Sequence, residues 1–476
     1  MSKPLHLVAR CAFATFACAI ASFIAPSSAS AQAIIRDVEI ENTLKVYDTP
    51  VLRAAGIDPD SVQFHVVQDS SINAFVSNGR NIFVHTGLIL AAKNPNEIIG
   101  VMAHETGHLL DEHQLRAGEN IDVAMRPMLL SIGLGVLAMM AGQPAAGAAL
   151  IAGSQQFAMG DFVRFTQAQE SSADQAGATL LEQSGQSGRG LIEFFNRELR
   201  PYEFMTRRLP AWMMTHPYSS DRVESLRRRV EGAAHYDAQD TDDNWRRFKF
   251  MQAKLVGFIQ TQNQTLAKYP LSDTSEFGRY ARAIAYYRVS DFPPAEAELN
   301  SLLQEEPNNP YFLELMGQIL FESNRAPASV PFYRRSLAQN THSALFQINL
   351  ARALDGANAP GSSEESIGLL RQATAEEPDN AFAWREMADV YSNRHQEGLA
   401  EWAWAEQSFA VLDCGTAYDF AQRSIRTMGH DGAVAQPIAA RRAQDIVDIC
   451  GEVLRPHDGM TVTPTGGSSR TGRRSG

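Results

Sequence analysis

His104-Glu105-Thr106-Gly107-His108 sets two imidazoles four residues apart, with a carboxylate beside the first. On a helix that spacing is about one turn, so both rings leave the same face. Two neutral imidazoles so placed can ligate a divalent metal. A glutamate next to them is then positioned to take a proton from a water that the metal activates. The competing reading is an amphipathic core helix that happens to carry two histidines, and the rest of the chain must decide between them.

A catalytic zinc takes three protein ligands and keeps one position open. The segment Gln169-Glu170-Ser171-Ser172-Ala173-Asp174 reads as helical. It offers Glu170 as the third ligand, and Asp174, one turn further on, to orient a ligating histidine. Either carboxylate alone would be an ordinary surface residue; beside the first helix they complete a site. His216 precedes Pro217 and a helix bearing Arg222. The bland reading is a loop histidine. The sharper one aims it at the metal or, with Arg222, at the oxyanion that forms when a carbonyl is attacked. His113 falls well round the helix and reads as exposed, while His65 and His85 read as structural strand residues.

The elements that must position these groups follow from the hydrophobic pattern. Residues 34–60 read as a short helix followed by a connection at Gly56–Asp60. Val62–Val67, Asn73–Val76 and Asn81–His85 alternate with strand period, and the Asn78-Gly79 pair marks a hairpin between the last two. Asn94-Pro95-Asn96-Glu97 opens a helix predicted to run through His108 to about Arg116. Residues 127–160 carry no charge at all. Gln143-Pro144 divides them into two halves, each shorter than the ~20 residues that a membrane span needs. They are expected to be apolar helices, buried or touching a lipid surface. Further helices follow over about 190–199 and from Ser219–Asp221 through Arg229. Gly232 and the polar 237–243 run suggest a domain boundary.

The second half of the chain repeats itself. Glu306-Pro307-Asn308-Asn309 returns as Glu377-Pro378-Asp379-Asn380, and Ala338-Gln339-Asn340-Thr341 holds the intermediate phase. That is a period of about 34 with a small insertion at Gly356–Ser363, the spacing of tetratricopeptide helix pairs. From Pro456 onward, Gly, Ser, Thr and Arg predominate, a composition that does not fold.

Lys3, His6 and Arg10 precede an apolar stretch over Cys11–Ala25, and Pro26–Ala33 supplies small residues for cleavage after Ala31 or Ala33. This is the pattern of an export signal. Cleavage would leave Cys414 and Cys450 as the remaining pair, in a compartment that permits their oxidation. A net charge of −12 and a pI near 5.5 argue against nucleic acid as a partner.

Asn73-Ala74-Phe75, Thr86-Gly87-Leu88, His104–His108, Glu170–Asp174 and Thr215-His216-Pro217, in that order, resemble the HtpX/CAAX-prenyl-protease family of zinc metallopeptidases. The further resemblance is to its periplasmic β-barrel assembly-enhancing group, which joins such a domain to C-terminal tetratricopeptide repeats. Ser171-Ser172 departs from relatives that carry charges there, but touches no proposed ligand. The resemblance implies one Zn2+ held by His104, His108 and Glu170, with Glu105 as base. It also implies that Asn73, Ala74 and Phe75 lie along the substrate cleft, and that the His216 loop caps the metal. A prenyl-protein protease is disfavoured, since the chain lacks the several full spans such enzymes use.

The expected fold class is α+β. A mostly helical zincin-type domain with a small β-sheet (34–232) precedes an all-α tetratricopeptide solenoid (240–455), with residues 1–31 a signal peptide and 456–476 a disordered tail. The expected function is that of a periplasmic zinc endopeptidase, cleaving misfolded or stalled outer-membrane proteins that its repeats recruit. The β-barrel assembly machinery is a possible further partner, and peripheral membrane contact is allowed. The rival expectation is a chaperone or adaptor whose protease centre is held silent.

Overall fold

A computed structural model describes residues 34–77, 79–110, 167–199, 216, 220–430 and 437–455. The expected export signal, the uncharged 127–160 segment, His113 and the 456–476 tail lie outside the described residues. The chain groups into two compact units, residues 1–252 and 253–476. Among the described residues, no helix is long and apolar enough to cross a membrane.

In the first unit, helix α1 (Val38–Ala54) begins where the Asp37 side chain accepts a hydrogen bond from the Ile40 N–H at 3.0 Å. That bond satisfies a donor which a helix start otherwise leaves unpaired. Ile40, Leu44, Tyr47 and Val51 recur at helical spacing and are sealed from solvent. Burying each such apolar side chain contributes about 1.5–3 kcal/mol.

Strands β1 (Ile34–Ile35), β2 (Gln63–Val67), β3 (Ala74–Ser77) and β4 (Asn81–His85) form one sheet in the order β1-β2-β4-β3. β2 and β4 run parallel, while β3 and β1 pair antiparallel to β4 and β2 respectively. Reading residues 34–60 as helix and connection misses β1, because a two-residue strand is too short to show a period. The Asn73 carbonyl accepts a hydrogen bond from the His85 N–H at 3.0 Å. Antiparallel pairing alternates from there, so Ala74 and Val76 turn their backbone groups to the sheet's outer edge.

Helices α2 (Thr86–Ala91) and α3 (Pro95–Leu110) follow the sheet. The start of α3 is fixed reciprocally: the Glu97 N–H donates to the Asn94 side chain, and the Glu97 carboxylate accepts from the Lys93 N–H. Arg197 clamps the same carboxylate with two guanidinium nitrogens. Helix α4 covers residues 167–183. α5 (Arg189–Phe194) runs into a π-type turn at Phe195–Leu199, and α6 (Ser220–Glu231) and α7 (Asp242–Ile259) follow.

The second unit is all helical, a tetratricopeptide-like array of hairpins. The first helices of successive pairs begin at Glu276, Pro310, Ala344, Ala381 and Cys414, spacings of 34, 34, 37 and 33 residues. The longer interval contains the insertion at Gly356–Ser363. The repeated Glu-Pro-Asn/Asp-Asn motif is a stop-and-start signal. Asn309 and Asn380 cap the next helix through the N–H groups of Phe312 and Ala383, and each donates its own amide to Glu306 or Glu377. Cys414 and Cys450 are disulfide-bonded with Cα atoms 5.0 Å apart, joining the last two helices of the array.

Candidate metal centre

Helix α3 brings His104 and His108 to the same side, and α4 brings Glu170 opposite them. The two helices can approach because a glycine of each meets the backbone of the other. A Cβ on Gly107 would stand 2.7 Å from the Ala173 carbonyl oxygen, and one on Gly177 would stand 2.9 Å from that of Ala103. Any larger residue at either position would push α4 and its carboxylates away.

The donors converge closely. His104 Nε2 lies 3.2 Å from His108 Nε2 and 3.5 Å from Glu170 Oε2, and His108 Nε2 lies 3.2 Å from Glu170 Oε1. His216, 112 residues from His104 along the chain, brings Nδ1 to 3.3 Å from His104 Nε2 and 3.1 Å from the Glu170 carboxylate. Metal–ligand bonds of about 2.0–2.1 Å put tetrahedral donors roughly 3.3 Å apart. These separations match that edge, so one ligand atom from each of His104, His108, Glu170 and His216 could hold a tetrahedral ion. All four residues are buried.

The surrounding groups orient the donors. His104 Nδ1 meets Asp174 Oδ1 at 2.9 Å, which leaves Nε2 to face the cluster. Arg222 donates to Asp174 through Nε at 2.8 Å and Nη2 at 3.0 Å, and its Nη1 lies 3.1 Å from Glu170. The Arg222 guanidinium is therefore committed to the two carboxylates of α4. Glu105 lies on α3 beside the cluster, 3.5 Å from His216 Nε2, and its carboxylate accepts from the Val76 N–H of edge strand β3. The same His216 Nε2 stands 3.3 Å from the Ala74 carbonyl oxygen.

Burial and charge set the protonation pattern. Burial pulls His104 down, but its hydrogen bonds to Asp174 and Glu170 outweigh this and raise it to about 10. Burial lowers His108 to about 4, keeping it neutral at ordinary pH. Burial would raise Glu170 and Asp174, yet the histidines hold Glu170 well below its usual range, and His104 and Arg222 lower Asp174. Burial raises Glu105.

Two features escaped the sequence reading. Asp48 on α1 is fully buried, and its Oδ2 accepts from the Thr106 hydroxyl at 3.1 Å, within the His104–His108 turn. The available signal was a carboxylate inside the apolar stripe 40, 44, 47, 51. The other is the run of rings His65, Phe83 and Phe75 across the sheet, which needed strand register to be seen. His85 is buried, with its Nδ1 2.9 Å from the Ser71 hydroxyl.

These donors, a neighbouring carboxylate and an edge strand beside them define a metallopeptidase. Residues 41–230 match the model of Peptidase family M48. Over about 70% of its length the chain is similar to proteins named beta-barrel assembly-enhancing protease. The one from Yersinia pestis is 25% identical over 334 residues, 69% of this chain and 67% of the relative. The one from Escherichia coli (strain K12) is 26% identical over 345 residues, 70% and 69% respectively. The metalloprotease LoiP of the same organism is 27% identical over 189 residues, 38% of this chain and 69% of LoiP. Among solved structures, MamA aligns over 36% of this chain and 92% of its own at 16% identity and a TM-score of 0.27.

Proposed function

We propose that the chain is an exported zinc endopeptidase acting in outer-membrane protein quality control. The observation that carries this reading is the convergence of His104, His108 and Glu170 at tetrahedral spacing, with Glu105 beside them. Those three residues would hold the zinc. Bound there, zinc supplies Lewis acidity that polarises a scissile carbonyl and acidifies a water. Glu105 takes the proton from the attacking water and later delivers it to the leaving amine. Its burial raises the carboxyl above the usual range, which makes the ionised group a stronger base for that step. Asp174 fixes the His104 tautomer, and Arg222 balances the charge of Glu170 and Asp174. Arg222 is committed to the α4 carboxylates, and His216 is proposed to cap the resting site between Glu170 and the Ala74 carbonyl rather than to serve the oxyanion.

Substrate is proposed to lie along Asn73, Ala74 and Phe75, adding to the outer edge of β3 as a strand once His216 gives up the Ala74 carbonyl. The repeat unit would recruit unfolded or misassembled outer-membrane proteins and engage the β-barrel assembly machinery. The names of the similar proteins support this direction. The export-signal pattern expected at the N-terminus and the Cys414–Cys450 bond support a periplasmic location. The 127–160 segment is the candidate for peripheral membrane contact.

The test is cleavage of casein by the mature chain, comparing wild type and Glu105→Gln with and without a zinc chelator. Wild type should cut, and chelation or Glu105→Gln should stop it while the variant keeps its zinc. Retained proteolysis in Glu105→Gln would refute the mechanism.

One observation favours a second reading, a chaperone or adaptor whose protease centre is mostly silent. His216 takes the fourth donor position and the Ala74 carbonyl together, which closes the site. On that reading Glu105→Gln still supports barrel assembly in cells, whereas deletion of residues 240–455 does not.

A further inference from the structure

The rings of His65 on β2, Phe83 on β4 and Phe75 on β3 form a single rung across the sheet. His65 is directly opposite Phe83, and Phe83 directly opposite Phe75. Their rings stack, His65 on Phe83 at 4.7 Å and 23°, Phe75 on Phe83 at 5.0 Å and 10°. The edge of His85 flanks Phe75 at 6.0 Å. All three rings are half-buried, whereas Ala74 and Val76 on either side of Phe75 are buried on the opposite face. β3 ends the sheet, and among the described residues no ring stands beyond Phe75.

We infer that a peptide strand laid on the outer edge of β3 completes this rung, so that the enzyme selects an aromatic or large apolar side chain opposite Phe75. The inference rests on the peptidase reading above and deepens it. Ala74 and Val76 hold the outward backbone groups, and an antiparallel strand would hydrogen-bond to them by taking over the Val76 N–H from Glu105 and the Ala74 carbonyl from His216. The residue opposite Phe75 then falls in a non-hydrogen-bonded pair, the kind in which facing Cα atoms come closest, about 4.5 Å. A flat or bulky apolar side chain there gains the contact that Phe83 already makes on the other side. A carboxylate there would lose water against the rings and find no described partner.

The rung also lies next to the chemistry. The Ala74 carbonyl is 3.3 Å from His216 Nε2, and the other nitrogen of that ring is 3.1 Å from Glu170. The selected side chain is therefore within about two residues of the bond that is cut, since strand residues advance only about 3.3 Å each.

The experiment uses the full mature chain. Cleavage sites in casein are mapped by mass spectrometry, and kcat/KM is measured for a pair of quenched peptides differing only by Phe or Ala at the mapped position. Wild type should show Phe, Tyr, Trp, Leu or Met enriched at one fixed position within about two residues of its cuts. Phe75→Ala should lower the Phe-over-Ala ratio of kcat/KM by about three- to tenfold, and Phe75→Tyr should restore it. Cuts with no favoured side chain at any single position overturn the inference, whether or not Phe75→Ala folds. Equal losses on both peptides overturn it too, while leaving the peptidase reading intact. No cleavage of casein by wild type removes that reading, and this inference with it.

Discussion

His216 Nε2 stands 3.3 Å from the Ala74 carbonyl oxygen, while Nδ1 of the same ring stands 3.1 Å from the Glu170 carboxylate. One imidazole thus spans the edge strand and the donor cluster. Removing it should free a donor position and a strand acceptor together. His216→Ala is expected to cut casein several-fold faster than wild type while retaining its metal, measured by initial rates and metal analysis. A slower, fully metallated variant would show instead that His216 serves the reaction more than it restrains it.

Asp174 and Arg222 shape the cluster without being among its four donors. Asp174→Asn keeps the size of the side chain but weakens its hold on His104 Nδ1 and its pairing with Arg222. Metal affinity should fall by about 10- to 100-fold, the usual cost of losing such a supporting group. Competition with a chromogenic chelator measures it. Unchanged affinity would mean that the Asp174–His104 contact of 2.9 Å contributes nothing to metal binding.

Burial raises Asp48 from an ordinary 3.8 to about 8, lowered in part by the Thr106 hydroxyl and raised further by Glu105. The folded protein therefore holds a proton there that the unfolded chain releases. The associated stability is complete below about pH 4 and is lost as pH rises through about 8. Asn cannot ionise and can still accept from Thr106. Asp48→Asn should match the wild-type melting temperature near pH 4 and exceed it by a margin that grows up to about pH 8 and then stays constant. A constant difference between those two pH values would refute the assignment.

The Cys414–Cys450 bond closes a sequence separation of 36 residues at the end of the repeat unit. Loop-closure entropy for such a span is worth about 4 kcal/mol. Cys414→Ser should lower the denaturant midpoint of the C-terminal transition, while a reductant lowers that of wild type but not of the variant. Equal sensitivity of both to reductant would exclude the disulfide as the cause.

The parts of this protein that were legible in its sequence are local. The one-turn spacing of His104 and His108, the same spacing of Glu170 and Asp174, the β3–β4 hairpin and the 34-residue rhythm all follow from helix and strand periods acting over a few residues. The repeated caps at Asn309 and Asn380 are equally local, since each side chain serves an N–H three residues away. Tertiary structure decided what lies far apart in sequence. The contact of Gly107 with Ala173 and of Gly177 with Ala103 sets the distance between the two metal-site helices. Register alone lines up His65, Phe83 and Phe75, and only packing places His216 on Ala74 or buries Asp48 beneath Thr106. The physical reason is range: a dihedral preference or an apolar period acts on neighbours, whereas these contacts join segments tens of residues apart once the intervening helices and strands have packed.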